Sequence, residues 1–315
     1  MKPAHRHEYS EEQRGLLKRA VLLEWVTLLY LCSVVVLMYL VMGSSQAMKS
    51  AWVEDILSMV PPAVFLITNK IRNMKPTTTF PYGFHRAASI GYLVSAIALL
   101  SVGGYLIVDS GMKLLLAEHP TIGMKEYFGV DLWLGWWMIL VLLWGTFPPL
   151  LLGRMKAKLA APLFDKVLYT DSRMNKADWM TAAAAMAGII GIGFGVWWAD
   201  AVAALIISAD IFRDGYIHCR DAVTSLINRA PRELDGTDSD VPARIKAYML
   251  SLDWIDDAVI RMHEQGHLFA GEVFFTTTRD NVRPEDIEAA LEAAKALDWR
   301  IQQLSLTTAE KQVRG

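Results

Sequence analysis

Cysteine is scarce. Cys32 and Cys219 are the only two in 315 residues and lie far apart, which excludes a disulfide framework and a cysteine-based zinc finger. Excess charge of either sign is also missing. A net charge of −2 gives nucleic acid nothing to bind. The opening MKPAHRHEYSEEQRGLLKRA lacks the apolar centre of a signal peptide, so residues 18–42 are expected to be retained as a membrane helix. Apolar residues, in contrast, are abundant. The chain is 53% hydrophobic and 20% charged, with 11 Trp and 15 Met, which suits a polytopic membrane protein carrying a soluble domain.

Length and apolarity predict six spans, at 18–42, 51–72, 87–115, 132–153, 168–194 and 199–227. The fifth and sixth meet at the short turn VWWAD, where Trp197 and Trp198 suit a membrane interface. Lys70, Arg72, Lys75 and Arg86 fall between spans two and three, and Arg154, Lys156, Lys158 and Lys166 between four and five. The opposite loops hold fewer cations, Lys49, Lys113 and Lys125, so the positive-inside rule places both termini in the cytoplasm.

After Asn228 the character changes. PRELDGTDSD reads as a polar linker, and 241–252 as helical. AVIRM and HLFAGEVFFTTT alternate like paired strands, PEDIEAALEAAKAL is an amphipathic helix with Pro284 in its first turn, and WRIQQLSLTT closes as a strand. The expected fold is a membrane all-α six-helix transmembrane bundle plus a small cytoplasmic α+β domain of order α-β-β-α-β. The corresponding segments are a cytoplasmic tail at 1–17, a six-span membrane domain at 18–228, a linker at 229–240 and a cytoplasmic α+β domain at 241–315.

Asp171, Met174, Asn175 and Asp178 share one face of the fifth span, and Lys176 points away from it. Carboxylates are costly in lipid, so acids that share a face inside a span mark an ion site or a polar pathway. Asp171 also lies near the helix start, where capping is the bland alternative. A second acidic pair, Glu54 and Asp55, lies in the second span. Glu54 shares a face with Ser58, and Asp55 with Met59, so only one of the adjacent acids can point fully inward. Pro61 and Pro62 follow, freeing backbone carbonyls of which those of Met59 or Ser58 are candidate ligands. Glu24 is either a relay carboxylate or a snorkelling one near the cytoplasmic end. Asp210 and Asp214 are spaced to pair with Arg213 or with a neighbouring helix.

His263-Glu264-Gln265-Gly266-His267 matches the zinc-protease pattern H-E-x-x-H, whose chemistry needs both histidines on one helix face. Here the flanks alternate like strands and Gly266 sits where a hairpin turns, so a hairpin is expected, with a regulatory metal contact from His263 or His267 as the lesser alternative.

FPYGFHRAASI at 80–90 resembles the Tyr/Phe-Gly-x-x-Lys/Arg-Ala-Glu segment of the cation diffusion facilitator family, and WWADAVAALIIS resembles the opening of that family's sixth span. With the order of spans and soluble elements, the resemblance covers about residues 15–308. It implies a tetrahedral transport site, made of two acids four apart in the second span and a His/Asp-x-x-x-Asp pair in the fifth. Counting back from Gly83 places the first pair on Glu54 and Ser58, or, shifted by one, on Asp55 and Met59. Counting back from Asp200 places the second pair on Met174 and Asp178. Asp178 matches outright. Met174 stands where the family has His, and Asp171 and Asn175 offer compensating oxygens on the same face. A His-poor, oxygen-rich set suits Mn²⁺ or Fe²⁺, whereas a Met sulfur suits softer ions.

The resemblance implies a homodimeric inner-membrane exporter of a divalent metal (Mn, Fe, Co, Ni or Zn) in exchange for protons, with no permanently bound cofactor and no enzymatic activity. The alternative is a degenerate family member that acts as a membrane scaffold. Arg86 matches the family's cation that pairs with an acid at the end of the sixth span, and Asn228 occupies the acid's place. The last strand, LSLTT, lacks the residues that bind regulatory zinc in the family.

Overall fold

The computed structural model describes residues 10–41, 46–117, 124–127, 130–193, 198–277, 279 and 281–309. Expectations that rest on residues 1–9, on Trp197, or on the side chains of Lys49, Lys125 and Asp200 fall outside them. The chain divides into two compact units, Ser10–Lys70 with Gly91–Arg220, and Ile71–Ile90 with Asp221–Gly315.

The first unit is built on α1 (Glu11–Val41), α2 (Gln46–Leu57), α3 (Val60–Arg72), α4 (Ala87–Leu115), α5 (Leu134–Leu163), α6 (Lys166–Gly193) and α7 (Ala199–Leu226). A short hairpin of β1 (Met124–Tyr127) and β2 (Val130–Trp133) precedes α5, so the fourth helix starts two residues later than expected. Among the described residues, three helices are long and apolar enough to cross a membrane: Glu11–Leu40, Ala87–Leu115 and Trp137–Leu163.

The expected second span is two pieces, broken at Ser58 and Met59. Pro61 and Pro62 carry no amide hydrogen, so the carbonyls of Leu57 and Ser58 lose their helical donors. The Met59 carbonyl is not freed, because it accepts the Ala63 amide at 3.3 Å. α6 and α7 are joined by ion pairs, Arg173 with Asp214 and Lys176 with Asp210 at 3.2 Å. The neighbouring helix, rather than Arg213, therefore supplies the partners of Asp210 and Asp214. α4 and α7 cross at a close approach, where a Cβ added at Gly103 would sit 2.5 Å from the Phe212 amide nitrogen. Small residues let helix backbones meet in this way.

The connection expected after residue 153 is largely helical. α5 continues to Leu163 and turns through Phe164, which has φ +49°, and the Asp165 carboxylate caps α6 by accepting the Val167 and Leu168 amides at 3.1 Å each. Lys156, expected as a loop cation, is instead a fully buried residue of α5.

In the second unit, α8 (Val241–Leu250), β3 (Ile255–Gln265), β4 (Leu268–Thr277), α9 (Pro284–Ala296) and β5 (Ile301–Thr308) follow in the expected α-β-β-α-β order. β3 and β4 are antiparallel and β4 and β5 parallel, α9 supplying the crossover that a parallel pair needs. Val241, Ile245 and Met249 of α8 and Ala290 and Ala294 of α9 are buried, as are Trp254, Phe269 and Phe275. The H-E-x-x-H segment lies on the β3–β4 turn, with Gln265 opposite Leu268 and Gly266 at φ +73°. Its histidines have no common helix face, which removes the protease reading.

Residues 229–240 are held in place. The buried Glu264 carboxylate accepts the Arg232 amide at 2.8 Å and the Ser225 hydroxyl at 2.9 Å. Arg300 donates to both oxygens of Glu233 at 3.0 and 2.8 Å. Burial and the Arg86 guanidinium hold His263 below the usual imidazole range, and burial and Arg72 do the same to His85.

Candidate metal centre

The α6 stripe is buried throughout: Asp171, Met174, Asn175 and Asp178 each expose less than a tenth of their surface. Its members have different partners. Asp178 faces the break between α2 and α3, where the Ser58 hydroxyl donates to its Oδ1 at 2.6 Å. One turn further on, the Thr181 hydroxyl donates to Glu54 Oε1 at 2.9 Å. The Glu54/Ser58 face of α2 therefore meets α6. Asp55 is more exposed, yet its Oδ2 is buried and, among the described residues, has no hydrogen-bond partner.

Asp171 turns to α5, where Lys156 reaches its Oδ2 and also pairs with Glu24 of α1 at 2.9 Å. Glu24, Lys156 and Asp171 are each fully buried, so Glu24 does not snorkel. Asn175 Nδ2 donates to the Asp171 carbonyl at 2.9 Å, which occupies its amide within α6. Met174 packs among Leu99, Val102, Ala177 and Ile211, so its sulfur lies in an apolar cluster. The structure thus brings Asp178, Ser58 and Glu54 together and places Asp171, Asn175 and Met174 elsewhere.

Two residues escaped the sequence reading. Thr181 lies three positions beyond Asp178, so the stripe's own spacing carried its signal. Lys156 had no local signal, because both partners are distant in sequence.

The donors gathered around Asp178 are oxygens, from two carboxylates and two hydroxyls, with the carbonyls of Leu57 and Ser58, deprived of their helical donors by the prolines, beside them in sequence. Such a set suits a hard dication. Each of the two acids holds one hydroxyl, and among the described residues no three His, Cys, Asp or Glu side chains gather around one point.

Residues 22–227 match the family described as "Cation efflux transmembrane domain". This chain belongs to the cation efflux family. Among its relatives is the manganese efflux system protein MneS of Bacillus subtilis, 23% identical over 177 residues, or 54% of this chain and 57% of the relative. Another is the uncharacterized transporter YdbO of the same organism, 22% identical over 204 residues, or 62% of this chain and 63% of the relative. The chain spans about three-fifths of the length of these relatives. Glu54, Asp55, Ser58, Asp171, Met174, Asn175 and Asp178 all lie inside the segment matched to the cation efflux family.

Proposed function

We propose that this cation efflux family member exports a divalent metal, Mn²⁺ first among them, in exchange for protons. The observation that carries the reading is the meeting of Asp178 with Ser58, and of Thr181 with Glu54, across α6 and the broken second span. The ion's ligands are Asp178, Glu54 and Asp55, assisted by Ser58, Thr181 and the carbonyls of Leu57 and Ser58. Oxygen donors without histidine favour Mn²⁺ over Zn²⁺, and the manganese efflux relative supports the same choice. Asp171 is seven residues from Asp178, about 10 Å along a helix, too far to share its ion. It marks the approach from the cytoplasm.

A dication and protons compete for the same carboxylate oxygens, so loading metal releases protons and protonation from the far side releases metal. The carrier has six spans within 18–228, both termini in the cytoplasm of a cell with an inner membrane, and a second copy paired through 241–315. Rocking of the bundle alternates access.

Whole-cell manganese content tests this reading. Cells loaded with Mn²⁺ should lose it faster when they express the wild type, and Asp178→Ala and Glu54→Ala should each abolish that gain. Export by Asp178→Ala at the wild-type rate would remove this site assignment. A chain that changes the content of no divalent metal would favour the scaffold reading.

A further inference from the structure

The Glu24–Lys156–Asp171 cluster ties α1, α5 and α6 together, and the proposed transport chemistry does not use it. All three side chains are fully buried. Two carboxylates surround one ammonium, so the formal balance is one uncompensated negative charge. Glu24 Oε1 is buried without a hydrogen-bond partner among the described residues. Buried charge left in this state is costly, and a pair replaced by apolar residues is often as stable or more so. Stability alone therefore does not account for the arrangement.

Resting on the transport reading above, we infer that Glu24 and Asp171 form a second cation site on the approach to Asp178, and that the Lys156 ammonium fills it as a tethered cation. A dication neutralises both carboxylates rather than one, so it can displace the ammonium in passing, while the tethered ammonium refills the site once the ion moves on and holds it at equilibrium. A monovalent ion offers no more charge than the ammonium and must also give up its translational freedom, which the tethered group does not. K⁺ and Na⁺ are thereby kept off the path by a competitor that never leaves. Lys156 thus acts as a specificity-determining residue, and a divalent ion reaches Asp178 by displacing it from Asp171.

Equilibrium Mn²⁺ binding to the purified full chain, counted per protomer, tests this in four proteins. The wild type and Asp178→Ala set the frame, and Lys156→Met is added to each. Wild type should bind one ion and Asp178→Ala none. Lys156→Met should add one ion in both backgrounds, and Glu24→Gln in the Lys156→Met protein should remove it again. An ion retained by Asp178→Ala alone would sink the transport-site reading. No added ion in Lys156→Met/Asp178→Ala would overturn the tethered-cation inference and leave the transport site standing.

If Lys156→Met fails to fold, Lys156→Arg gives the answer in transport. A guanidinium offers five N–H donors to the two acids where the ammonium offers three and is harder to displace, so KM for Mn²⁺ should rise by about tenfold with kcat less affected. An unchanged KM would overturn the inference.

Discussion

Glu264 offers the sharpest test of how the sheet unit is held. Its carboxylate is 3% exposed and accepts the Ser225 hydroxyl at 2.9 Å and the Arg232 amide at 2.8 Å. It thereby ties the β3–β4 hairpin to the end of α7 and to the segment after it. Glu264→Ala strands both donors, and each buried donor without an acceptor costs about 1–3 kcal/mol, so the pair costs about 2–6 kcal/mol. Glu264→Gln keeps one acceptor oxygen and turns its amide toward the other donor, so roughly half that loss is expected. Local opening then speeds amide exchange by about tenfold for each 1.4 kcal/mol. Hydrogen exchange of peptides covering residues 260–270 in the intact protein should therefore rise by about 30-fold or more in Glu264→Ala, with Glu264→Gln between it and the wild type. An increase below about twofold, the effect of an ordinary surface substitution, would refute the reasoning.

Other expectations follow from single contacts. Gly103→Val should lower thermal stability by about 1–3 kcal/mol, because the new side chain meets the Phe212 backbone; an unchanged melting curve would deny the close crossing of α4 and α7. The imidazoles of His85 and His263 sit below their ordinary range through burial and through Arg72 and Arg86, with Glu272 opposing the shift at His263. The unfolded chain thus takes up more protons than the folded one as pH falls through about 6.5, so stability should be level above that pH and drop below it, and His85→Gln with His263→Gln should flatten the profile. Arg86 donates to Asn228 Oδ1 at 2.5 Å, so Asn228→Asp should turn this contact into an exposed ion pair worth up to about 1 kcal/mol, a gain that 0.5 M salt should erase.

Local signals were legible where the pattern was short-range. Alternation on both sides of Gly266 specified the hairpin, and Pro284 marked the start of α9. The fifth-span spacing correctly placed four residues on a buried face, and the double proline marked the break in the second span. The end of α5 was not legible. Its run of cations reads as a loop, yet Lys156 is neutralised by Asp171, fifteen residues away, and by Glu24 on another helix. Spacing likewise showed which residues share a face but not which neighbour each one meets. Asp171 and Asp178 lie on the same stripe and serve different partners, because the α5–α6 turn brings Lys156 to one and the α2–α3 break brings Ser58 to the other. The Met59 carbonyl keeps its donor for a simpler reason: each proline frees the carbonyl four residues before it, here those of Leu57 and Ser58.

Metal-driven proton flux in proteoliposomes, with Mn²⁺, Fe²⁺, Co²⁺, Ni²⁺, Zn²⁺ and Cd²⁺ tried in turn on wild type and Asp178→Ala, decides whether Asp178 holds an ion exchanged for protons. Protons should move opposite to Mn²⁺ in the wild type and not at all in Asp178→Ala. Mn²⁺ flux that survives the substitution, or an absence of flux for every ion from a folded wild-type protein, would contradict this reading.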